Sequence, residues 1–214
     1  MCFSTATSLE VLAANHIVSF ILYYTYDKIL SLFYVFIGFM QFWDYLFWKF
    51  PKKSNINFWA TKMAMLNNHI QPIVFAIAIS YYKKIWLDTF NIIIILLYSI
   101  IALIYSIYAW FHIDYTVVTP ESSPGLYWKW NHFPGNYILY ILFVFVIISL
   151  LFTYYPYPLN ITFCIAVICI LIYAYMNYKK QSDFSILWCN YSIYLPVFTL
   201  LFYISKDVLD HWNT

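Results

Sequence analysis

Arginine is absent from this sequence, and glycine occurs only three times in 214 residues. Charged residues make up 9% of the chain, well below the roughly 25% that keeps an ordinary domain in water. That shortage excludes a water-soluble globular fold, since 64% of the residues are hydrophobic and there is too little polar surface to cover them. The 11 basic residues are all lysine, the net charge is +2 and no basic stripe occurs, which argues against a nucleic-acid partner. The four cysteines form no CxxC pair, so neither a zinc ribbon nor a thioredoxin-type redox motif is present. The start MCFSTATSLE has no positive n-region, and a cleaved signal peptide is not expected. Period-two alternation is missing from runs such as NIIIILLYSIIALIY, which excludes a transmembrane β-barrel.

What remains is a series of seven apolar stretches, at 9–26, 29–50, 58–82, 92–111, 137–155, 159–178 and 184–205. Most are near the roughly 20 residues a helix needs to cross a bilayer, and lipid admits only backbones that satisfy their own hydrogen bonds. The expected fold is all-α: a polytopic membrane helix bundle with seven transmembrane helices, forming one domain over 1–214. The longest loop is 112–136, with Pro120, Pro124, Gly125, Pro134 and Gly135. The rich use of Ile, Phe, Tyr, Asn and Lys reflects AT-rich coding, and the 23 tyrosines and 9 tryptophans follow from that and from interface anchoring. Cys164 and Cys169 fall in an apolar run and face lipid or core. Side A denotes the side of the N-terminus. Lys49, Lys52, Lys53, Lys129, Lys179 and Lys180 then lie on side A, against Lys28, Lys83, Lys84 and Lys206 on side B, which favours side A as cytoplasmic. The sequon Asn160-Ile-Thr162 starts at the membrane on side B and is expected to go unused.

Ionisable groups inside a membrane are costly, so each is a functional candidate. The first stretch has Glu10, Asn15 and His16, with Ser8, Asn15 and Ser19 on one face. In the second, Gln41, Asp44 and Trp48 are spaced i, i+3, i+7 on a shared face, with Asp44 about 9 Å from the side A end. The third is the most polar: Lys62, Asn67, Asn68, His69 and Gln71 precede Pro72. Asn68 and His69 lie about 16 Å deep, and Pro72 frees a backbone carbonyl near Asn68. A polar patch beside a proline break is one way to build an intramembrane site. The seventh opens with Ser185, Trp188, Cys189 and Asn190, Cys189 about 8 Å deep. Lys206, Asp207, Asp210 and His211 close the chain at or beyond the side B interface. Seven crossings bring Cys2, Glu10, Asp44, Lys62 and Cys189 into one layer near side A. There Asp44 or Glu10 neutralises Lys62, and His69 floors a cavity open to that side, over a mostly apolar side B half. The 112–136 loop, with His112, Asp114, Glu121, Tyr127, Trp128, Trp130 and His132, either covers this cavity or lies in the interface as a tryptophan-rich anchor; the anchor is the preferred expectation.

Met1-Cys2-Phe3-Ser4, Met40-Gln41 with Asp44-Tyr45 and Trp48, and Ser185, Trp188 and Cys189 together resemble a group of uncharacterised multi-pass membrane proteins of bacteria and giant DNA viruses. Bacterial members resemble Met-Cys-Phe-Ser followed by Gln-Gln-x-x-Glu-Gly-x-x-Trp. This chain has Asp44 for the glutamate and Tyr45 for the glycine, and its Asn68-His69-Ile70-Gln71-Pro72 run is more similar to the viral members. The resemblance covers about half of the chain. It implies a multi-pass architecture and a host-cell or virion membrane; it implies no activity, because none is established for the group.

Three functions follow from these residues. The first is binding or translocation of an ion, proton or small solute through Gln41, Asp44, Lys62, Asn68, His69, Gln71, Trp188 and Cys189. The second is a membrane enzyme acting on a lipid-like substrate, with Cys2 as nucleophile, His69 or His16 as base and Asp44 orienting it. The third is a structural membrane or virion component whose polar network fixes helix packing. Cys2 and Cys189 are also a possible redox pair or, with Asp44 and a histidine, zinc ligands, but no ligand spacing here is diagnostic of a metal and no cofactor is specified. Retinal would need a lysine in the middle of the last stretch, and an alkaline-ceramidase-type site would need paired histidines there; neither occurs. The bilayer is the one partner the composition demands.

Overall fold

A computed structural model of the chain describes residues 4–118, 126–128, 130, 134–177 and 194–212. The described residues form seven helices: α1 (Thr5–Thr25), α2 (Lys28–Lys49), α3 (Asn55–Lys83), α4 (Thr89–His112), α5 (Asn136–Tyr154), α6 (Tyr157–Asn177) and α7 (Tyr194–Trp212). A two-residue ladder, β1 (Val117–Val118) against β2 (Leu126–Tyr127), interrupts the α4–α5 connection. Helices α1 to α5 are each long and apolar enough to cross a membrane. The chain is therefore an all-α helical bundle, as expected.

Short polar turns define the helix starts. Ser4, Asp27, Ser54 and Asp88 precede α1 to α4, and each accepts a backbone N–H of the first turn on its side chain, satisfying donors that have no partner inside the helix. Gly135 opens α5 at φ 88, a left-handed backbone that glycine adopts without strain. The seventh helix departs from the sequence reading. Residues 178–193 lie outside the described region, and α7 continues to Trp212 rather than stopping at Ser205. Lys206, Asp207, Asp210 and His211 thus lie on the helix.

Helix α1 packs chiefly on α2, through the face carrying Ser8, Asn15, Ser19 and Leu22. Helix α4 shows the division between inside and outside most clearly. Tyr98, Ala102, Tyr105, Ser106 and Ala109 are buried, while Ile93, Leu96, Ile100, Leu103, Ile107 and Phe111 are exposed as one apolar band, a surface that water-soluble monomers do not present. Helix α3 has 29 residues, about 43 Å at 1.5 Å per residue. That exceeds the roughly 30 Å hydrocarbon layer, so its ends reach into the connections on both sides.

Toward the side B end the core is aromatic: Phe33 stacks on Phe75 at 4.6 Å, and Phe75 on Tyr155 at 6.1 Å. Beyond this layer, the turns at the side B helix ends carry polar networks. Asp27 caps α2 and also accepts from Tyr203 of α7 at 2.9 Å and from Tyr155 at 3.3 Å, joining three parts of the bundle. Asn160 is buried and donates to the Tyr155 carbonyl at 3.0 Å, so its sequon faces the interior.

A second network caps α4. Asp88 accepts from the Asn91 amide at 2.6 Å, from the Asn91 backbone N–H at 3.0 Å and from the Tyr154 hydroxyl at 2.8 Å. These donors, Asn91 foremost, favour the carboxylate and hold Asp88 at about 2, below its ordinary 3.8. A depressed folded-state value stabilises the fold above the unfolded value, and the contribution is lost as pH falls through the folded one. Between pH 4 and pH 2 the detergent-solubilised protein should therefore lose thermal stability more steeply than Asp88→Asn, which has no carboxylate to protonate. Parallel melting curves for the two in that window would refute the assignment.

Candidate functional site

The first two turns of α3 hold the connection that follows α4. Thr116 donates its backbone N–H to Asn57 Oδ1 at 3.1 Å and to Thr61 Oγ1 at 2.9 Å, and its carbonyl accepts from Asn57 Nδ2 at 3.0 Å. Next to Thr61 lies Lys62, 1% exposed. Its ammonium donates to the carbonyls of Trp110, in the last turn of α4, and of Ile113, its C-cap, where the helix dipole is negative. It stands over the Phe58 ring at 4.9 Å and pairs with the exposed Asp114 at 3.6 Å. The expectation that Asp44 or Glu10 neutralises Lys62 is corrected: Asp114 and the end of α4 do so, and Glu10 is exposed. The lysine side chain reaches upward from α3, and unpaired carbonyls at a helix end are the acceptors it meets first.

The polar run nearer the midplane is buried as a group. Asn68 donates to the Tyr140 hydroxyl at 2.6 Å, and Asn67 links α3 to α2 through the Phe36 carbonyl at 3.2 Å. His69, 4% exposed, holds Ser106 Oγ at 2.8 Å through Nδ1 and meets Tyr105 edge-on at 5.4 Å. Beside Pro72, the His69 carbonyl accepts from the Tyr98 hydroxyl at 2.7 Å, one residue beyond the position expected to be freed. Gln71 is buried on the same helix, and Gln41 and Asp44 are buried on α2. Cys2, Trp188 and Cys189 lie outside the described residues, and with them any pairing of the two cysteines.

The loop tryptophans are not interface anchors. Trp128 and Trp130 are each 1% exposed, stacked at 5.2 Å, with Trp130 against Phe47 of α2 at 6.4 Å. Tyr105 fastens the Trp130 carbonyl from α4. Trp128 and Trp130 therefore pack inward against α2 and α4 instead of lying in the interface. The indole nitrogens of Trp43, Trp48, Trp128 and Trp130 and Nε2 of His69 are all buried without a hydrogen-bond partner among the described residues. A buried donor left in that state costs about 1–3 kcal/mol.

Asn57, Thr61, Thr116, Ser106 and Tyr140 join the site without having been singled out in the sequence. The stripe Tyr98, Ala102, Tyr105, Ser106, Ala109, at helical spacing, was the available signal for α4: small and hydroxylated residues on one face of an otherwise aliphatic helix mark its packed side. Compared with known proteins, the chain matches no family model, no curated protein and no solved structure.

Proposed function

We propose that this chain is an integral membrane protein with seven crossings whose side A half binds a small polar solute or ion beneath the segment carrying Thr116, Trp128 and Trp130. The observation that supports this reading is the set of buried ring nitrogens without partners among the described residues, at His69, Trp43, Trp48, Trp128 and Trp130. Indole N–H groups only donate, so the ligand that suits them carries acceptor atoms: an anion or an oxygen-rich solute. Lys62 serves as a clasp holding the covering segment, its donors already spent on α4 carbonyls. The stacked Phe33, Phe75 and Tyr155 layer favours a site closed toward side B over a through path, and so binding over translocation. The resemblance in Gln41, Asp44 and Trp48 adds a host-cell or virion membrane as the location.

The test uses the full chain in bilayer discs, with tryptophan emission followed against chloride, nitrate and acetate. At least one probe should give a saturable change that weakens about ten-fold in His69→Phe, the effect of losing roughly 1.4 kcal/mol of binding. A flat response to all three would overturn the reading. Proton entry into dye-loaded vesicles that depends on His69 would replace binding with translocation.

A further inference from the structure

On side B the end of α3 and the start of α4 enclose a groove of about 520 Å³, far from the covered half. Its walls are Ile73, Ala76 and Ile77 of α3 and Ile95 of α4, and Lys84 and Trp86 stand at its mouth. The walls are mostly aliphatic, with Ser80 and Tyr81 of α3 also lining the groove, and Ala76 supplies depth because it has no side chain beyond Cβ. Such a trough in a lipid-facing surface suits a hydrocarbon chain.

The mouth adds a charge. Lys84 ends α3 at φ 52 and ψ 41, and it is the non-glycine residue with positive φ among the described residues. Helices usually place glycine or asparagine at this left-handed position, so the lysine is held there against its backbone preference. Its neighbour Lys83 is engaged: it donates to the Tyr154 carbonyl and lies 4.9 Å from the centre of the Tyr155 ring. Lys84 makes no side-chain hydrogen bond or ion pair with the described residues, and Asp88, the nearest carboxylate in sequence, is occupied by Asn91 and Tyr154. Trp86 is 93% exposed, as an indole at headgroup level would be. We propose that this groove holds an acyl chain of an anionic phospholipid whose phosphate rests on Lys84. A zwitterionic lipid would fill the walls but leave the lysine without a net counter-charge, and a free phosphate would meet the lysine but leave the walls bare. The proposal rests on the membrane-spanning reading and not on the solute site.

The experiment places the full chain in phosphatidylcholine discs containing a small, equal fraction of either brominated phosphatidylglycerol or brominated phosphatidylcholine. The readout is the quenching that disappears in Trp86→Phe. Quenching by the anionic lipid should indicate about five-fold enrichment, the factor one lysine at a membrane surface supplies. Lys84→Asn tolerates the left-handed backbone while removing the charge and should abolish the preference; Lys84→Arg should keep it. Equal quenching by the two lipids, or a preference that survives in Lys84→Asn, overturns the site. A chain that fails to enter the discs overturns the spanning reading and the site with it, whereas a chain that enters without preference overturns the site alone.

Discussion

Replacing Lys62 by methionine should lower stability by about 3 kcal/mol, since hydrogen bonds to a charged group contribute roughly 1.5–3 kcal/mol each and two carbonyls lose their donor. The methionine fills most of the volume occupied by the lysine stem, so the loss comes from the ammonium. What remains is the end of α4, with the Trp110 and Ile113 carbonyls facing an apolar side chain. Asp114 is 62% exposed and stays hydrated, so Asp114→Asn should cost only about 0.2–1 kcal/mol, as exposed pairs do. The double substitution Asp44→Asn with Lys62→Met should recover nothing, because these two groups are not an ion pair. Unfolding in mild detergent measures all three. Hydrogen exchange over residues 113–118 should rise in Lys62→Met, because that segment loses one of its ties to α3 and keeps only those of Asn57 and Thr61 to Thr116. A loss below about 0.5 kcal/mol, the noise of a neutral surface change, or rescue by Asp44→Asn would reject the clasp.

The bundle was legible because lipid-facing helices need no periodicity to be recognised; long apolar runs between polar turns suffice. Helix ends were less legible. Lys206, Asp207 and Asp210 look like the exit from a membrane, yet a helix can carry charges beyond the hydrocarbon, and α7 runs on to Trp212. The start of α3 was set at 58, while its helix begins at Asn55 under the Ser54 cap. Those extra residues carry Asn57, which together with Thr61 ties α3 to Thr116 and so fixes the fold of the covering segment. The partner of Lys62 was missed for a related reason. A depth estimate ranks candidate carboxylates, but it does not count helix-end carbonyls, which have no side-chain identity to read. In the sequence Asp27 falls in the two-residue gap between the first two apolar stretches. Its two tyrosine partners are 128 and 176 residues away, hidden among 23 tyrosines. His69, Asn68 and Gln71 were legible, since polar groups deep in an apolar helix stand out; the burial of Trp128 and Trp130 was not, since tryptophan suits an interface and a core equally.

Gly38→Ala should cost about 2 kcal/mol, within the 1–3 kcal/mol range for overpacking, although it adds one methyl group and improves helix propensity. A Cβ at position 38 would lie 2.4 Å from Oδ1 and 2.8 Å from Cγ of Asn15, and 3.2 Å from Cε1 of His16. Asn15 has little room to yield: it is 1% exposed, with Ser19 donating to the same oxygen at 3.5 Å. Turning it aside would strip that hydroxyl of its acceptor; separating the helices would loosen the Ser31 hydroxyl from the Ser19 carbonyl, now 2.6 Å apart. Close backbone approach is the main source of helix association where lipid removes the hydrophobic drive, and α1 depends chiefly on α2. A smaller partner should relieve the clash. Asn15→Ala alone should cost about 1 kcal/mol for the lost hydrogen bond. Combined with Gly38→Ala it should recover at least about 1 kcal/mol relative to the sum, the coupling expected of residues in direct contact. Strict additivity in the same detergent unfolding assay would mean that α1 and α2 do not meet at Gly38.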